Sequence, residues 1–550
     1  MNHLYYGDNL TIMQRMPKDA VDLIYLDPPF NSKKTYNLLY RKMTGKPVPE
    51  QVDAFCDTWE MDPEKEAAAN AMPLLMRQHG VEDYYVKFWM LWIKALRDTQ
   101  PHLLAYLIYM VQRLLHMKSI LKPTGSIYLH CDPTASHYIK VMMDGIFGHQ
   151  NFRSEIIWKR TSSHSSAMRW GPVHDVILFY SKSDHFKWNR ISQPYDEAYV
   201  NGFYRGEDEG GRFRLGDLTG AGTRTGDSGK PWKGVDPTDA GRHWAVPAVP
   251  GLTKEEIKAL TVQERLDALN EQGLIHWPKR GAIPQFKRYL DPDKGVAAQD
   301  VITDIDPISP HARERLGYPT QKPIALLDRI INASSDPGDI VFDPFCGCGT
   351  TIYSAEKNKR QWIGCDIAIL SIRLITDKLT TDYRLTEGMH FDVNGIPVSV
   401  EQAEALFHKD PRQFQHWLVE RVDGFPAQKK VADQGVDGRI YFETKDGLRD
   451  MVLSVKGGHI KPGDIRDLRG VLEREQGSEM AGFLCLQKPT RAMLAEAATA
   501  GIYEYSGVSY DRIQILTVQQ ILEEKRLFNT PSRIGSRVKT GQTPLPLHSA

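Results

Sequence analysis

The chain is short of cysteine, of net charge and of long apolar runs, and each shortage removes a class of protein. Six cysteines in 550 residues cannot build a disulfide framework, so a reducing cytoplasm is the expected setting. Cys346-Gly347-Cys348 has no second Cys or His pair after it at zinc spacing. Small side chains in a turn explain it better than a metal. Lys plus Arg (69) equals Asp plus Glu (69). Any nucleic-acid contact must then come from a local basic patch rather than from overall charge. The longest apolar run, Leu103 to Val111, is too short to span a bilayer. No signal-peptide pattern opens the chain. No membrane role is expected.

What remains is ordinary for a globular protein: 41% hydrophobic and 25% charged residues, enough for a large core and for several domains. Two stretches stand out. Val21-Asp-Leu-Ile-Tyr-Leu26 reads as a buried parallel strand. It ends in Asp27-Pro28-Pro29-Phe30, where open α/β sheets bind ligands beyond the carboxyl ends of their strands. The prolines keep the backbone extended and stiff. Asp27 and the Pro28 carbonyl can accept the two hydrogens of an exocyclic amine, and Phe30 can stack on its ring. Taken alone, the tetrapeptide reads equally well as a plain strand end. The second stretch, Ile340-Val-Phe-Asp343-Pro-Phe345-Cys-Gly347-Cys-Gly349-Thr-Thr351, is a buried strand, a glycine turn and a helix start. Trp362 to Asp366 reads as the next strand, ending in an acid where such folds hold ribose hydroxyls. The turn is not Gly-x-Gly-x-x-Gly, so it is not read as a dinucleotide site.

Together these stretches resemble the amino-methyltransferases of DNA, which methylate exocyclic nitrogens with S-adenosylmethionine. The catalytic motif precedes the cofactor motif by more than 300 residues, the order of that family's beta class. The resemblance covers residues 1–390 and implies a doubly wound, Rossmann-like α/β sheet. It assigns catalysis to Asp27, Pro28, Pro29 and Phe30. It assigns cofactor binding to Asp8 (after Gly7), Thr320 and Lys322 (in Tyr-Pro-Thr-Gln-Lys-Pro), Asp343, Phe345, Gly347, Gly349 and Asp366. Asp before Pro-Pro is more usual there for adenine N6, so adenine is favoured over cytosine N4. The implied partner is double-stranded DNA, in a restriction-modification or DNA-modification setting. A homodimer and a restriction-system partner fit that setting, and RNA methylation is a remote alternative.

The expected division is 1–150 for the catalytic half, 151–310 for a target-recognition insert and 311–392 for the cofactor half. Residues 31–80 read as a long irregular loop, and residues 83–118 as helical. Residues 151–190 hold seven Lys or Arg against three acids. Arg153, Lys159, Arg160 and Arg169 are therefore candidate DNA contacts, with Trp158, Trp170 and Trp188 interleaved. A solvated face beside a core is the alternative. Residues 201–245, rich in Gly, Arg and Asp, read as a poor core and a DNA-reading loop.

Residues 393–528 differ in kind. Asp437, a hairpin and a strand ending in Lys456 resemble the Mrr-like restriction endonucleases of the PD-(D/E)xK superfamily. The resemblance implies a smaller α/β nuclease-like domain with carboxylate-held Mg²⁺ at Asp437. Ser454 stands where that family has Glu or Gln. Glu420, on the preceding helix, is the candidate replacement ligand. A DNA-binding remnant is the other reading. Residues 529–550 are expected to be a disordered tail.

Overall fold

The structure, a computed structural model, describes residues 2–29, 35–38, 52–56, 59–161, 168, 170–278, 283–291, 295–309, 311–316, 318, 320–427, 435–445, 447–475 and 477–531. The expected tail falls outside the described residues from 532 on. The described residues divide into two compact units, 190–298 and the remainder.

The larger unit opens with β1 (Asn2–Tyr6), α1 (Asn9–Met13) and β2 (Val21–Leu26). Three helices follow, α2 (Pro63–Gln78), α3 (Asp83–Thr99) and α4 (Pro101–Ile120), then β3 (Leu121–Cys131), α5 (Ser136–Phe147), β4 (Phe152–Lys159) and β5 (His174–Ser181). The chain resumes with β6 (Val301–Ile302), α6 (Ile324–Ser334), β7 (Ile340–Asp343), α7 (Thr350–Lys357), β8 (Gln361–Asp366), α8 (Ile369–Thr381) and β9 (Phe391–Asn394). These strands form one nine-stranded sheet in the order β6-β4-β5-β3-β2-β7-β8-β1-β9. Only β5 runs against its neighbours. Every residue of β2 is buried, as a strand covered on both faces requires.

The stretch read as a loop contains α2. Asp62 caps it by accepting from the Lys65 N–H (2.8 Å), and Pro63 fills its first turn. A short antiparallel hairpin, Thr35–Leu38 with Val52–Cys56, also lies in that stretch. The predicted helix over 83–118 is two helices, parted at Pro101, whose ring starts the second. The expected insert also divides: β4 and β5 are strands of the main sheet, and the separate unit is 190–298.

That unit has its own sheet, in which Gly211–Asp217 pairs antiparallel with Gln285–Tyr289 and Gly206–Asp208. Leu218, Trp232, Trp244, Val249, Leu266 and Leu269 form its core. Part of the stretch read as a poor core therefore supplies that core. Thr253 and Glu256 form the expected capping box.

The last domain begins with α9 (Val400–Lys409) and α10 (Pro411–Arg421). It continues with β10 (Phe425–Pro426), β11 (Gly438–Thr444), β12 (Gly447–Lys456), α11 (Pro462–Arg474), β13 (Ser478–Cys485) and β14 (Ile513–Thr517). The five strands lie in sequence order, with β12, β13 and β14 parallel.

At the amino ends of the main sheet's central strands, buried Asp22 ties β2 to β7. It accepts from Lys122 Nζ (2.7 Å) and from the Ile340 N–H (3.0 Å). Burial alone would raise its carboxyl, but these hydrogen bonds hold it below the usual range. The folded state therefore gains stability that is present above the ordinary Asp range and lost as pH falls through the folded value. Asp22→Ala should cost about 2–4 kcal/mol at pH 7. The deficit should shrink toward pH 3, as read by urea unfolding at both pH values.

Candidate active site

Four adjacent strands, β2, β7, β8 and β1, each deliver a carboxylate at or just past the carboxyl end: Asp27, Asp343, Asp366 and Asp8. The chain leaves β7 through α7 to β8 on one side, while β2 of the catalytic half lies on the other. This is a switch point, where a doubly wound sheet opens a crevice.

The turn after β7 is built on two positive φ values, Gly347 (+49°) and Gly349 (+87°). A Cβ on Gly349 would come within 2.6 Å of Ile375 Cγ1. Gly349 thus permits a close approach of the turn to α8. Asp343 is buried and accepts from the Phe345 N–H (3.0 Å). Burial pushes its carboxyl up to about 7, with Asp27 and Asp366 adding repulsion. Asp366 accepts from the Gly347 N–H (2.9 Å) and the Ala368 N–H (2.8 Å), joining the two cofactor-half loops. Burial pushes it up to about 6. The Cys346 and Cys348 thiols are buried and raised by burial, Cys348 to about 11. They are neutral, and among the described residues no cluster of three or more His, Cys, Asp or Glu could hold a metal.

Asp8 caps α1 by accepting from the Leu10 N–H (2.9 Å), as a turn aspartate does. The same oxygen accepts from buried Arg113 Nη2 (2.7 Å). Arg113 also donates to Asn9 Oδ1 (2.7 Å), whose amide donates to the Pro344 carbonyl (2.8 Å). Arg113 and Asn9 thus tie the Asp8 turn to the Asp343 turn, and neither belongs to a motif visible in the sequence. The available signal was an arginine inside the apolar face of α4.

Lys322 was assigned to the cofactor. In the structure its Nζ pairs with Asp27 Oδ2, and Thr320 offers its carbonyl to the same ammonium (3.4 Å). The other Asp27 oxygen, Oδ1, is buried and has no hydrogen-bond partner among the described residues. Behind Asp27, Tyr25 Oη meets His130 Nδ1 (2.9 Å), and His130 Nε2 meets Asp175 Oδ2 (3.1 Å). Tyr25, His130 and Asp175 form one hydrogen-bonded chain behind the crevice, its donor and acceptor roles set by the imidazole tautomer. Phe30 and Arg169 lie outside the described residues.

The candidate DNA contacts separate. β4 runs parallel to β3, so Arg153 sits at the end of the sheet away from the crevice. Its guanidinium donates to Ser181 Oγ (2.8 Å) and the Ser183 carbonyl (2.9 Å) and lies over Phe186. Arg153 is therefore a structural tie, which corrects its assignment to phosphate. Lys159 and Arg160 leave β4 at the crevice end. Lys159 is exposed and Arg160 reaches Asp175 (3.2 Å). Trp158 is buried and donates to the Ile305 carbonyl (2.9 Å), whereas Trp170 is exposed.

In the last domain the pairing of Gly438 with Leu453 sets Asp437 beside Ser454 and near Lys456. Asp437 accepts from the Val455 N–H (2.7 Å). Glu420 is turned elsewhere: its Oε2 accepts from the Ile369 N–H (3.3 Å) at the start of α8, and burial pushes its carboxyl up to about 8. From α10 it reaches into the cofactor half, away from Asp437, which corrects its assignment as a metal ligand for Asp437.

This arrangement sets an acid-Pro-Pro strand end beside a glycine turn and a second-strand acid at one edge of the sheet. Residues 21–377 match the DNA methylase family, and the chain belongs to it. It is similar to the type II methyltransferase M.EcaI of Enterobacter cloacae, at 34% identity over 272 residues, 49% of this chain and 56% of that protein. It is similar to the Mod subunit of the type III restriction-modification enzyme StyLTI of Salmonella typhimurium, at 26% identity over 383 residues, 66% of this chain and 51% of that subunit. A shorter stretch is 60% identical over 50 residues to the DNA adenine methyltransferase YhdJ of Escherichia coli, 9% of this chain and 17% of that protein. The match spans about half the length of the first two relatives.

The raised acids fix a pH dependence. The folded chain keeps protons on Asp343 and Asp366 that the unfolded chain loses near pH 4, so stability falls as pH rises from 4 through 7. Asp343→Asn removes its share and keeps an oxygen for the Phe345 N–H. The variant should melt above wild type at pH 7.5, by about 1–3 kcal/mol, and equal it near pH 4. Parallel melting curves at both pH values would remove the assignment.

Proposed function

We propose that the chain transfers the methyl group of S-adenosylmethionine to the exocyclic amine of a base in double-stranded DNA, with adenine N6 the favoured target. The observation that carries this reading is the unpartnered Asp27 Oδ1 at the crevice, whose other oxygen is pinned by Lys322. A buried acceptor without a donor costs stability, and a substrate N–H repays it. The amine lone pair is delocalised into the ring and is a weak nucleophile. Asp27 and the Pro28 carbonyl draw its hydrogens aside and aim the lone pair, so catalysis rests on position and electrostatics. A base inside a duplex cannot reach the crevice, so it must be flipped out. Lys159 and Arg160 lie at the right end of the sheet to meet the backbone.

The described residues fit the cofactor. Asp343, Asp366 and Asp8 would hold it, with Gly347 and Phe345 shaping the turn beside it. S-adenosylmethionine, when bound, supplies an activated methyl group and positive charge. Carboxylates held above their usual range by burial and mutual repulsion are stabilised by such a cation. That YhdJ is a DNA adenine methyltransferase supports adenine, and that the Mod relative is a subunit of a type III restriction-modification enzyme supports a restriction-modification setting.

A second reading concerns the last domain. Its β11–β12 hairpin, parallel β13 and Asp437–Lys456 pair support descent from an endonuclease-like fold. Ser454 is a poor ligand for a hard cation, and Glu420 is committed to the Ile369 N–H. The domain is proposed to bind DNA without cutting it. Mg²⁺ or Mn²⁺ should produce no cuts in methylated or unmethylated duplex, and metal-dependent cleavage abolished by Asp437→Ala would reverse this reading.

The main test is methyl transfer from labelled cofactor to duplex DNA, to RNA and to neither. Asp27→Ala should lower turnover on DNA by at least about 100-fold, a loss of roughly 3 kcal/mol of transition-state stabilisation, while cofactor affinity by calorimetry stays within a few-fold. Near-normal turnover in that variant, or transfer to RNA alone, would overturn the reading.

A further inference from the structure

The helix pair that opens the last domain lies outside the family match yet packs on the cofactor half. Phe414, Trp417 and Leu418 of α10 are fully buried in one apolar cluster with Leu4, Tyr6, Ile372 and Ile375. Between the two parts lies a cavity of about 130 Å³, bounded by Gly7, Asp8 and Thr11 on one side and Lys409, Asp410 and Gln413 on the other. That is too small for a whole cofactor and large enough for one part of it.

Gln413 is the telling residue. It is 9% exposed, and its side-chain amide makes no hydrogen bond to any described residue. It lies against Gly7, where a Cβ would come within 3.0 Å of the amide nitrogen. The amide lines the cavity, so it is placed to meet the polar edge of a ligand there. Glu420 stands seven residues on, on the same face of α10. It reaches the Ile369 N–H, three residues past Asp366, and the Tyr6 hydroxyl near it is buried without a partner. One helix face therefore presents a polar group to each of two loops: the loop after β1 that carries Asp8 and the loop after β8 that carries Asp366.

We infer that α10 is a wall of the cofactor site, with Gln413 hydrogen-bonding the purine edge of the adenosyl group beside Asp8 and Glu420 positioning the loop that presents Asp366 to the ribose. A primary amide offers one donor and one acceptor side by side, which matches the amine and neighbouring ring nitrogen of adenine. The inference rests on the S-adenosylmethionine reading above. It makes the last domain a contributor to cofactor binding.

The test uses the full chain and calorimetry with S-adenosylhomocysteine and its 6-desamino counterpart, in which hydrogen replaces the purine amine; hypoxanthine would not serve, because a flipped amide pairs with its O6 and N1–H as well as with adenine. Wild type should bind the adenosyl compound at least about tenfold tighter, the size of one to two net hydrogen bonds. Gln413→Met preserves volume and packing. It should weaken adenosyl binding about 5- to 20-fold and leave the desamino compound nearly unchanged, so the discrimination collapses, while the unliganded melting temperature does not fall. Glu420→Leu should weaken both compounds several-fold, and Glu420→Gln, which can still accept from Ile369, should restore them. If Gln413→Met keeps wild-type discrimination, or weakens both compounds equally, the purine assignment is overturned. If Glu420→Gln fails as Glu420→Leu does while both melt like wild type, the positioning role is overturned. If the wild-type chain binds neither compound, the cofactor reading itself falls and takes the inference with it.

Discussion

The ion pair between Lys322 and Asp27 joins residues 295 positions apart in sequence, and the crevice depends on it. The sheet is assembled from two halves whose order is permuted, and each half brings its own acids to the same edge. Asp27, Asp343, Asp366 and Asp8 would repel one another in a water-poor site. Lys322 neutralises one of them, Arg113 holds another, and backbone N–H groups hold the remaining pair. Burial pushes Asp343 up to about 7 and Asp366 up to about 6, and repulsion from Asp27 and Asp366 adds to it at Asp343. A crevice left short of positive charge is suited to a cationic ligand, and its binding would relieve repulsion that folding alone leaves in place.

The parts of the site that the sequence made legible share one property: they sit directly after buried parallel strands. Such strands read as unbroken apolar runs, and the next residue is at the sheet edge by geometry. Asp27, Asp343 and Asp366 could be placed that way. Arg113, Asn9 and Gln413 could not, because they belong to helices. Helical periodicity tells which face is buried but not what it is buried against. Arg113 is one polar residue in a helix with thirteen buried positions, and only the fold shows that its partner is the Asp8 turn.

Sheet order explains the other differences. Arg153 looked like part of a basic patch because sequence proximity put it near Lys159 and Arg160. One strand of eight residues separates them in space, so the same run supplies a structural tie at one edge and exposed cations at the other. Likewise α2 hides behind a polar composition. Its start was readable in Asp62-Pro63-Glu64, a cap followed by proline and an acid in the first turn, but its buried Ala69, Met72 and Met76 are too sparse to announce a helix.

The junction near residue 393 is a boundary in sequence but not in packing. The family match ends at 377, and the strands of a second sheet begin at Phe425, so the chain reads as one part followed by another. Yet α9 and α10 bury Leu406, Phe414 and Trp417 in the same cluster as Leu4, Tyr6, Ile352 and Phe391 of the methylase sheet. A shared apolar core is costly to open, because the exposed area loses its transfer free energy on both sides at once. A freely tethered module would show a polar interface. Glu420 is the clearest sign of the difference. A residue that sequence spacing offers to a metal beside Asp437 is instead drawn under the Asp366 loop, because the helix that carries it buries its other faces in the methylase domain. The first two helices of the last domain share one apolar core with the methylase sheet, so residues from both ends of the chain are packed together beside the Asp8 turn.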